Sequence, residues 1–485
     1  MGRWMMAATL ALLASQVAWA QAPAELPPAR PTNAQAQAFA RLYVEAINSD
    51  EGIEAFLEHD AEGAPERAIR GFFQDQRWIG GGAELVGARL ALGNPAVVQV
   101  ALRTKLYGAL QGVELTLGGT PDPKVTYLDL TPVPDWAVGP SSRRSREEVA
   151  ARIAKLVETG CRAERFSGAV LVAAGEEVLV QSACGEASRR YHVPNAVSTR
   201  FNLGSMDKMF TAVAAMQLIE AGRLRPEATL DRYLDATWLE PDVARQVTVW
   251  QLMTHTSGLS PDIVSLAEDQ PRARYRELGD YKPLARRVGL SSSPGTRFEY
   301  SNTGVLLLGA VIAAASGEDY YDYVRDHVLA PAGMSLTGSI AADDPVEDVA
   351  VGYMRAPAAP YGWRENTVRN FLRGIPAGGG YSTVGDMHRF AMALQGGKLV
   401  SQASLERLWA DPQGYNYGAG FEVNRGGVGS AVGHSGLYGG VSTRMRIYPD
   451  LGYTVVVLAN IDRAAPPLVD AIEGELLAAP PASDP

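Results

Sequence analysis

Apolar positions near the start of the chain recur with a helical period. Phe39, Leu42, Tyr43, Ala46 and Ile47 fall at i, i+3, i+4 spacing and predict an amphipathic helix; Ile53, Phe56 and Leu57 predict a second. From about Leu85 the pattern becomes that of strands: AVVQVAL, GVELTL and KVTYLDL run between Gly, Pro and Asp breaks. Helices followed by a strand meander make an α+β layout, which we bound at residues 32–136. PVPDWAVGPSSRRSREE interrupts the pattern, so 137–146 reads as a linker and 147–479 as one large domain. That domain opens with a helix near Glu147–Thr159, then two strands turning at Gly175-Glu176. A long helical middle follows. STRMRIYP and YTVVVLAN form a hairpin at Asp450-Leu451-Gly452, and PLVDAIEGELLA makes a last helix before the tail 480–485. Strands at both ends with helices between predict one sheet assembled from both ends of the domain.

The first twenty residues stand apart. Arg3 gives a basic start, Met5–Val17 an apolar core, and Ala18-Trp19-Ala20 an A-x-A site. This is the pattern of a secretory signal peptide (1–20), with an apolar run too short to span a bilayer. A Pro/Ala-rich linker follows at 21–31. A periplasmic or secreted mature chain, without a stable membrane anchor, is expected. Export makes a disulfide between the only two cysteines, Cys161 and Cys184, possible; the sequence leaves it open whether they pair or stay free. No C-x-x-C or H-x-x-x-H spacing occurs, and neither a metal nor any other cofactor is implied. The net charge of −10, with no Lys/Arg block, argues against nucleic acid as a partner.

Three stretches carry chemistry. In FNLGSMDKMFTAVAAMQLIEAG, Ser205 and Lys208 lie three apart at a helix start and share a face. A serine hydroxyl needs a base to take its proton, and a lysine serves only if burial depresses its pKa. The apolar helix around them, with Met209, Phe210, Val213, Met216 and Ile219, supplies that burial. In PGTRFEYSNTGVLLLGAVI, Tyr300 can relay a proton and Asn302 can bind a substrate carbonyl and steady the lysine; Ser301 or Asn302 can equally cap the following helix. In GHSGLYGGVSTRMRIYP, the strand at Gly436 and Leu437 can offer a backbone N–H to a carbonyl oxygen, and His434 can donate a hydrogen bond or charge to substrate.

Ser-x-x-Lys, Tyr-x-Asn and His-Ser-Gly in this order resemble the penicillin-recognising serine hydrolases: class C β-lactamases, serine DD-peptidases and related esterases and D-aminopeptidases. The resemblance covers roughly 152–477. It implies an antiparallel sheet flanked by helices with an all-helical lobe, acylation of Ser205, proton handling by Lys208 and Tyr300, and substrate binding by Asn302, His434, Gly436 and Leu437. The expected substrate is a small ester, amide or peptide. One departure stands out: class C β-lactamases usually carry Lys where this chain has His434. A fixed ammonium is replaced by a titratable imidazole, which tilts the expectation from β-lactams towards esters or peptides. Residues 32–136 resemble, by pattern alone, the cone-shaped SnoaL-like fold, which holds a small ligand or mediates dimers; a passive packing domain fits equally.

Other features are weaker. Asp207 would raise the pKa of Lys208 if close, but the helix should direct the two apart. His255 lies beside a Thr248/Gln251 capping box and is expected to be structural. Gly433–Leu437 mimics a G-x-S-x-G elbow, but the strand–turn–helix context is absent. A true β-lactamase, or a catalytically silent binder of cell-wall peptide or a small ligand, are the competing readings. Oligomeric state is not encoded legibly.

Overall fold

The computed structural model describes residues 16–17, 32–59, 65–119, 123–131, 133–138, 143–268, 270–368, 371–426 and 429–481. Residues 1–20, read from the sequence as a leader, lie outside these apart from Gln16 and Val17, as do residues 21–31, read as a linker. Contacts divide the chain into two compact units. One comprises the residues up to Arg165 together with Pro466–Pro480, and the other chiefly Phe166–Arg425 and Gly429–Ala465.

In the first unit three helices, Asn33–Asn48, Asp50–Leu57 and Glu66–Gly80, precede four antiparallel strands, Ala83–Ala91, Asn94–Thr104, Leu110–Gly118 and Lys124–Thr131. Thr32 and Gln35 close a capping box at the first helix. Tyr43, Phe56 and Phe73 meet edge to face, with ring centroids 4.8–6.4 Å apart, and anchor the core. One element was not anticipated, the third helix, which buries only Ile69 and Phe73 among its large apolar side chains; the first strand starts close to Leu85, where the pattern turns to strands. Arg146–Arg162 and Ala465–Leu476, the helices bounding the large C-terminal segment, also group here. Glu475 accepts from Arg144 (3.2 Å) and Arg152 (2.5 Å) and so joins them.

The second unit is built on a six-stranded sheet in the order Glu422–Gly426, Gly429–Tyr438, Val441–Tyr448, Tyr453–Ala459, Gly168–Ala174, Glu177–Cys184. Tyr453–Ala459 pairs antiparallel with Gly168–Ala174, so the sheet is closed from both ends of the segment, as expected. The continuous apolar run of a strand covered on both faces is visible in Gly168–Ala174 and Tyr453–Ala459, buried at every position. The helices between these strands include Asp207–Glu220, Asn302–Ser316 and Val384–Gln395. Asp207–Glu220 is buried nearly all round, with Phe210 set edge-on to Phe390. Among the described residues no helix is long and apolar enough to cross a membrane. Both cysteines are disulfide-bonded, which settles the choice the sequence left open.

Candidate active site

Ser205 stands in a single tight turn, Gly204–Met206, that feeds the Asp207–Glu220 helix. Gly204 makes the turn possible. Its φ is +55°, and a Cβ there would lie 2.9 Å from Gly436 Cα. The loop Gly374–Gly380 wraps the turn with backbone: Leu203 N–H donates to Gly380 O (2.7 Å) and Gly379 N–H to Gly204 O (3.0 Å). Ser205 is left half-buried, with one side towards the strand Gly429–Tyr438.

Lys208, one turn on, is 1% exposed. Its Nζ donates to Asn302 Oδ1 (2.8 Å) and Ala377 O (2.5 Å), and lies 4.8 Å from the Tyr300 ring centroid. Burial pulls its pKa down to about 7, against the opposing pull of Asp262, Asp207 and Glu422. Asn302 opens the Asn302–Ser316 helix, capped by Ser301 Oγ, which accepts from Gly304 N (3.0 Å). The cap and the lysine contact therefore coexist. Asp262 fixes the amide: its carboxylate accepts from Asn302 N (2.8 Å) and Nδ2 (3.3 Å), so Oδ1 must face Lys208.

Tyr300 is half-buried as a residue, but its Oη is shielded from solvent beside Ser205. Desolvation holds its phenol well above the ordinary range, and the neighbouring Ser205 side chain only tempers that rise. Among the described residues its Oη has no full hydrogen-bond partner. The proton therefore stays on the phenol at neutral pH, and Lys208 is the group able to accept one. Asp207 does turn away from Lys208, taking the Gly380 N–H (2.5 Å), but its charge still reaches the amine. Burial raises its own pKa to about 7, with Gly380 and Lys208 opposing.

The third stretch differs from expectation in one respect. His434 is 0% exposed, with Nε2 3.0 Å from Tyr417 Oη and Nδ1 2.6 Å from Ser435 O. Burial drives its pKa down to about 4 despite Glu422 nearby. The expected titratable imidazole is thus neutral throughout the ordinary range, because neither nitrogen reaches water. Ser435 faces Glu422, which accepts from its N (3.0 Å) and its Oγ and pairs with Arg446 (2.9 Å). The strand's two-residue alternation then aims Leu437 N–H off the same edge as Ser435 N–H. Leu437 N lies 3.1 Å from where a Gly204 Cβ would sit, beside Ser205. Gly436 permits that approach: a Cβ there would fall 1.9 Å from Leu203 O. His255, read as structural, takes the Ser301 N–H on Nδ1 (3.1 Å), and its ring lies 4.3 Å from that of Tyr300.

The family model described as Beta-lactamase matches residues 149–479. The chain belongs to this family. A penicillin-binding protein of Bacillus subtilis (strain 168) is 30% identical over 322 residues, covering 63% of this chain and 70% of the relative. The crystal structure of a penicillin-binding protein from Bacillus halodurans superposes with a TM-score of 0.60 at 32% identity, over 65% of this chain and 98% of that one. The D-amino acid amidase from Ochrobactrum anthropi SV3, complexed with L-phenylalanine amide, gives 0.59 at 25% identity, over 68% and 98%. As a β-lactamase-family member the chain is a serine hydrolase. Within this family member four residues around Ser205 were not anticipated: Asp262, Ala377, Tyr417 and Glu422. Asp262 carries only a capping signal, for it also accepts from Val264 N at the start of Ile263–Ala267; the others carry none.

Proposed function

We propose that this serine hydrolase cleaves an amide, ester or D-amino-acid peptide bond through an acyl-enzyme on Ser205. One observation carries the reading. A neutral amine has two N–H bonds and one lone pair. Both N–H bonds of Lys208 have acceptors, Asn302 Oδ1 and Ala377 O, which leaves the lone pair for the Ser205 proton. Ser205 Oγ attacks the carbonyl carbon while its proton passes to Lys208 Nζ, directly or over the Tyr300 hydroxyl. The N–H groups of Ser205 and Leu437 receive the oxyanion. The leaving amine or alcohol takes the proton as the C–N or C–O bond breaks, and a water molecule, deprotonated the same way, frees Ser205. Asn302 and the Gly436–Leu437 edge hold the acyl group.

An amide substrate is supported by the relatives, one of them named as a D-amino acid amidase. Hydrolysis of β-lactams is the second reading, supported by the relatives named as penicillin-binding proteins. It is disfavoured by the third stretch, where a neutral His434 and a Ser435 bound to Glu422 offer a substrate carboxylate no fixed cation. Export to the periplasm is supported by the basic–apolar–A-x-A start and the disulfide-bonded cysteines. The helices-then-meander order of 32–136 supports a SnoaL-like cone. The test is labelling of the full chain with a fluorophosphonate, followed by turnover of nitrophenyl esters, D-amino-acid amides and a chromogenic cephalosporin. Label on Ser205, lost in Ser205→Ala together with all turnover, is expected; an unlabelled wild-type chain, or a Ser205→Ala protein as active as the wild type, refutes the reading.

A further inference from the structure

Behind the Tyr300 ring, three side chains from separate segments form a continuous buried chain. His255 Nδ1 is 3.1 Å from Ser301 N, His255 Nε2 is 3.1 Å from Tyr417 Oη, Tyr417 Oη is 3.0 Å from His434 Nε2, and His434 Nδ1 is 2.6 Å from Ser435 O. All three side chains are less than a tenth exposed. The two ends are backbone groups with fixed roles, and they decide every proton between. Ser301 N–H can only donate, so His255 Nδ1 is bare and its proton sits on Nε2. That N–H donates to Tyr417 Oη, whose own hydrogen is thereby directed to His434 Nε2. His434 then carries its proton on Nδ1, the nitrogen facing a carbonyl that can only accept.

We propose that Tyr417 is a positioning residue for acylation: it locks His255 and His434 as opposite neutral tautomers in a one-way hydrogen-bond chain that forms the back wall of Tyr300 and Lys208. A second proton on either imidazole would set donor against donor, at Ser301 N–H or at the Tyr417 hydroxyl. The rings of His255, Tyr417 and His434 lie 4.3, 6.3 and 6.5 Å from that of Tyr300, which in turn carries Lys208 on its face. The charged groups acting on these imidazoles are Lys208, which opposes a proton on both, Glu422, 3.6 Å from His434 Nδ1, and Arg446. Burial holds both imidazoles below their ordinary pKa. The function of the lock is to keep positive charge off this wall, so that Lys208 stays the only group there exchanging a proton in the working range. The proposal rests on the roles given above to Ser205, Lys208 and Tyr300.

The full chain has six histidines, few enough to resolve by nitrogen-15 labelling and two-bond H–N correlation. Expected are an Nε2–H tautomer for His255 and an Nδ1–H tautomer for His434, neither titrating across the usual histidine range of roughly pH 5.5–7.5. The reverse tautomers, or titration of either ring there, overturn the proposal without any variant. Tyr417→Phe keeps the ring but removes both bonds. It should lower kcat roughly tenfold with KM nearly unchanged, and release His434 to a second tautomer. Tyr415→Phe, at a ring that lies tilted against Phe298 outside the hydrogen-bond chain, should leave kcat unaltered. Unchanged kcat and tautomers in Tyr417→Phe, with Ser205 still labelled, refute the lock alone. Loss of Ser205 labelling in the wild type refutes the acyl-enzyme instead, while the tautomers remain measurable.

Discussion

Asp262 and Lys208 never touch, yet Asp262 decides what Lys208 meets: by holding both the N–H and the Nδ2 of Asn302, it turns Oδ1 onto the amine 2.8 Å away. Asp262→Ala frees the amide to turn its NH2 towards Lys208, which offers a donor where an acceptor is needed. Acylation should slow by about tenfold to a hundredfold, a large part of what general-base assistance contributes. The loss of the Ile263–Ala267 cap should cost only about 1 kcal/mol. Stopped-flow acylation beside a thermal melt checks this; a rate that falls only in step with stability counts against the orienting role.

The pH profile follows from Lys208. Its folded pKa is lowered from the usual lysine range to about 7, so the neutral amine prevails above that value and is lost as pH falls through it. The acylation rate should rise with an acid limb near pH 7. His434, held near 4, and Tyr300, held well above its ordinary value, should add no limb between. Asp207 raises the Lys208 pKa, so Asp207→Asn should move the limb to lower pH, by up to about one unit, while keeping an acceptor for Gly380 N–H. A limb that stays in place or moves up contradicts the assignment.

Gly436→Ala tests the approach of strand to nucleophile turn. The added Cβ would sit 1.9 Å from Leu203 O and 2.3 Å from Thr443 Oγ1, and neither backbone nor strand can yield cheaply. A destabilisation of about 3 kcal/mol and loss of labelling are expected. Gly71→Ala is the opposite case: it lies inside the Glu66–Gly80 helix with nothing within 4 Å, and should stabilise by about 0.5–1 kcal/mol. Denaturant midpoints for both variants decide.

His434→Lys would restore a fixed charge, with Glu422, now 3.6 Å from the imidazole, as its partner. The ratio of cephalosporin to ester turnover should rise. If the ratio holds while the melting temperature drops, His434 serves packing and the Tyr417 contact, not substrate choice.

What could be read without the fold was whatever is local in sequence. Ser205 and Lys208 announced themselves because three residues on a helix bring them to one face, and the sheet closing from both ends followed from apolar runs at each end. What could not be read was long-range. Ala377 is 169 residues from Lys208 and acts through a carbonyl, which every residue has. Glu422 reaches Ser435 only once two strands pair, and Tyr417 reaches His434 from the segment just before the first of them. His434 was expected to titrate because the imidazole's nature is legible and its 0% exposure is not. The Glu66–Gly80 helix escaped notice because its stripe of buried apolar residues is thin, Ile69 and Phe73 between arginines.

The Gly374–Gly380 loop has a consequence for the order in which this protein becomes active. It gives Leu203, Gly204 and Asp207 a bonding partner, and Lys208 one of its two acceptors, entirely through main-chain atoms from some 170 positions further along the chain. A nascent chain that has emerged only as far as Arg373 carries serine and lysine in full but has no scaffold on which to shape the turn. Contacts at such separation form late, after the local helices. Capture of a fluorophosphonate by Ser205 during refolding should therefore lag behind helix formation and mark the moment when the two distant segments close on each other.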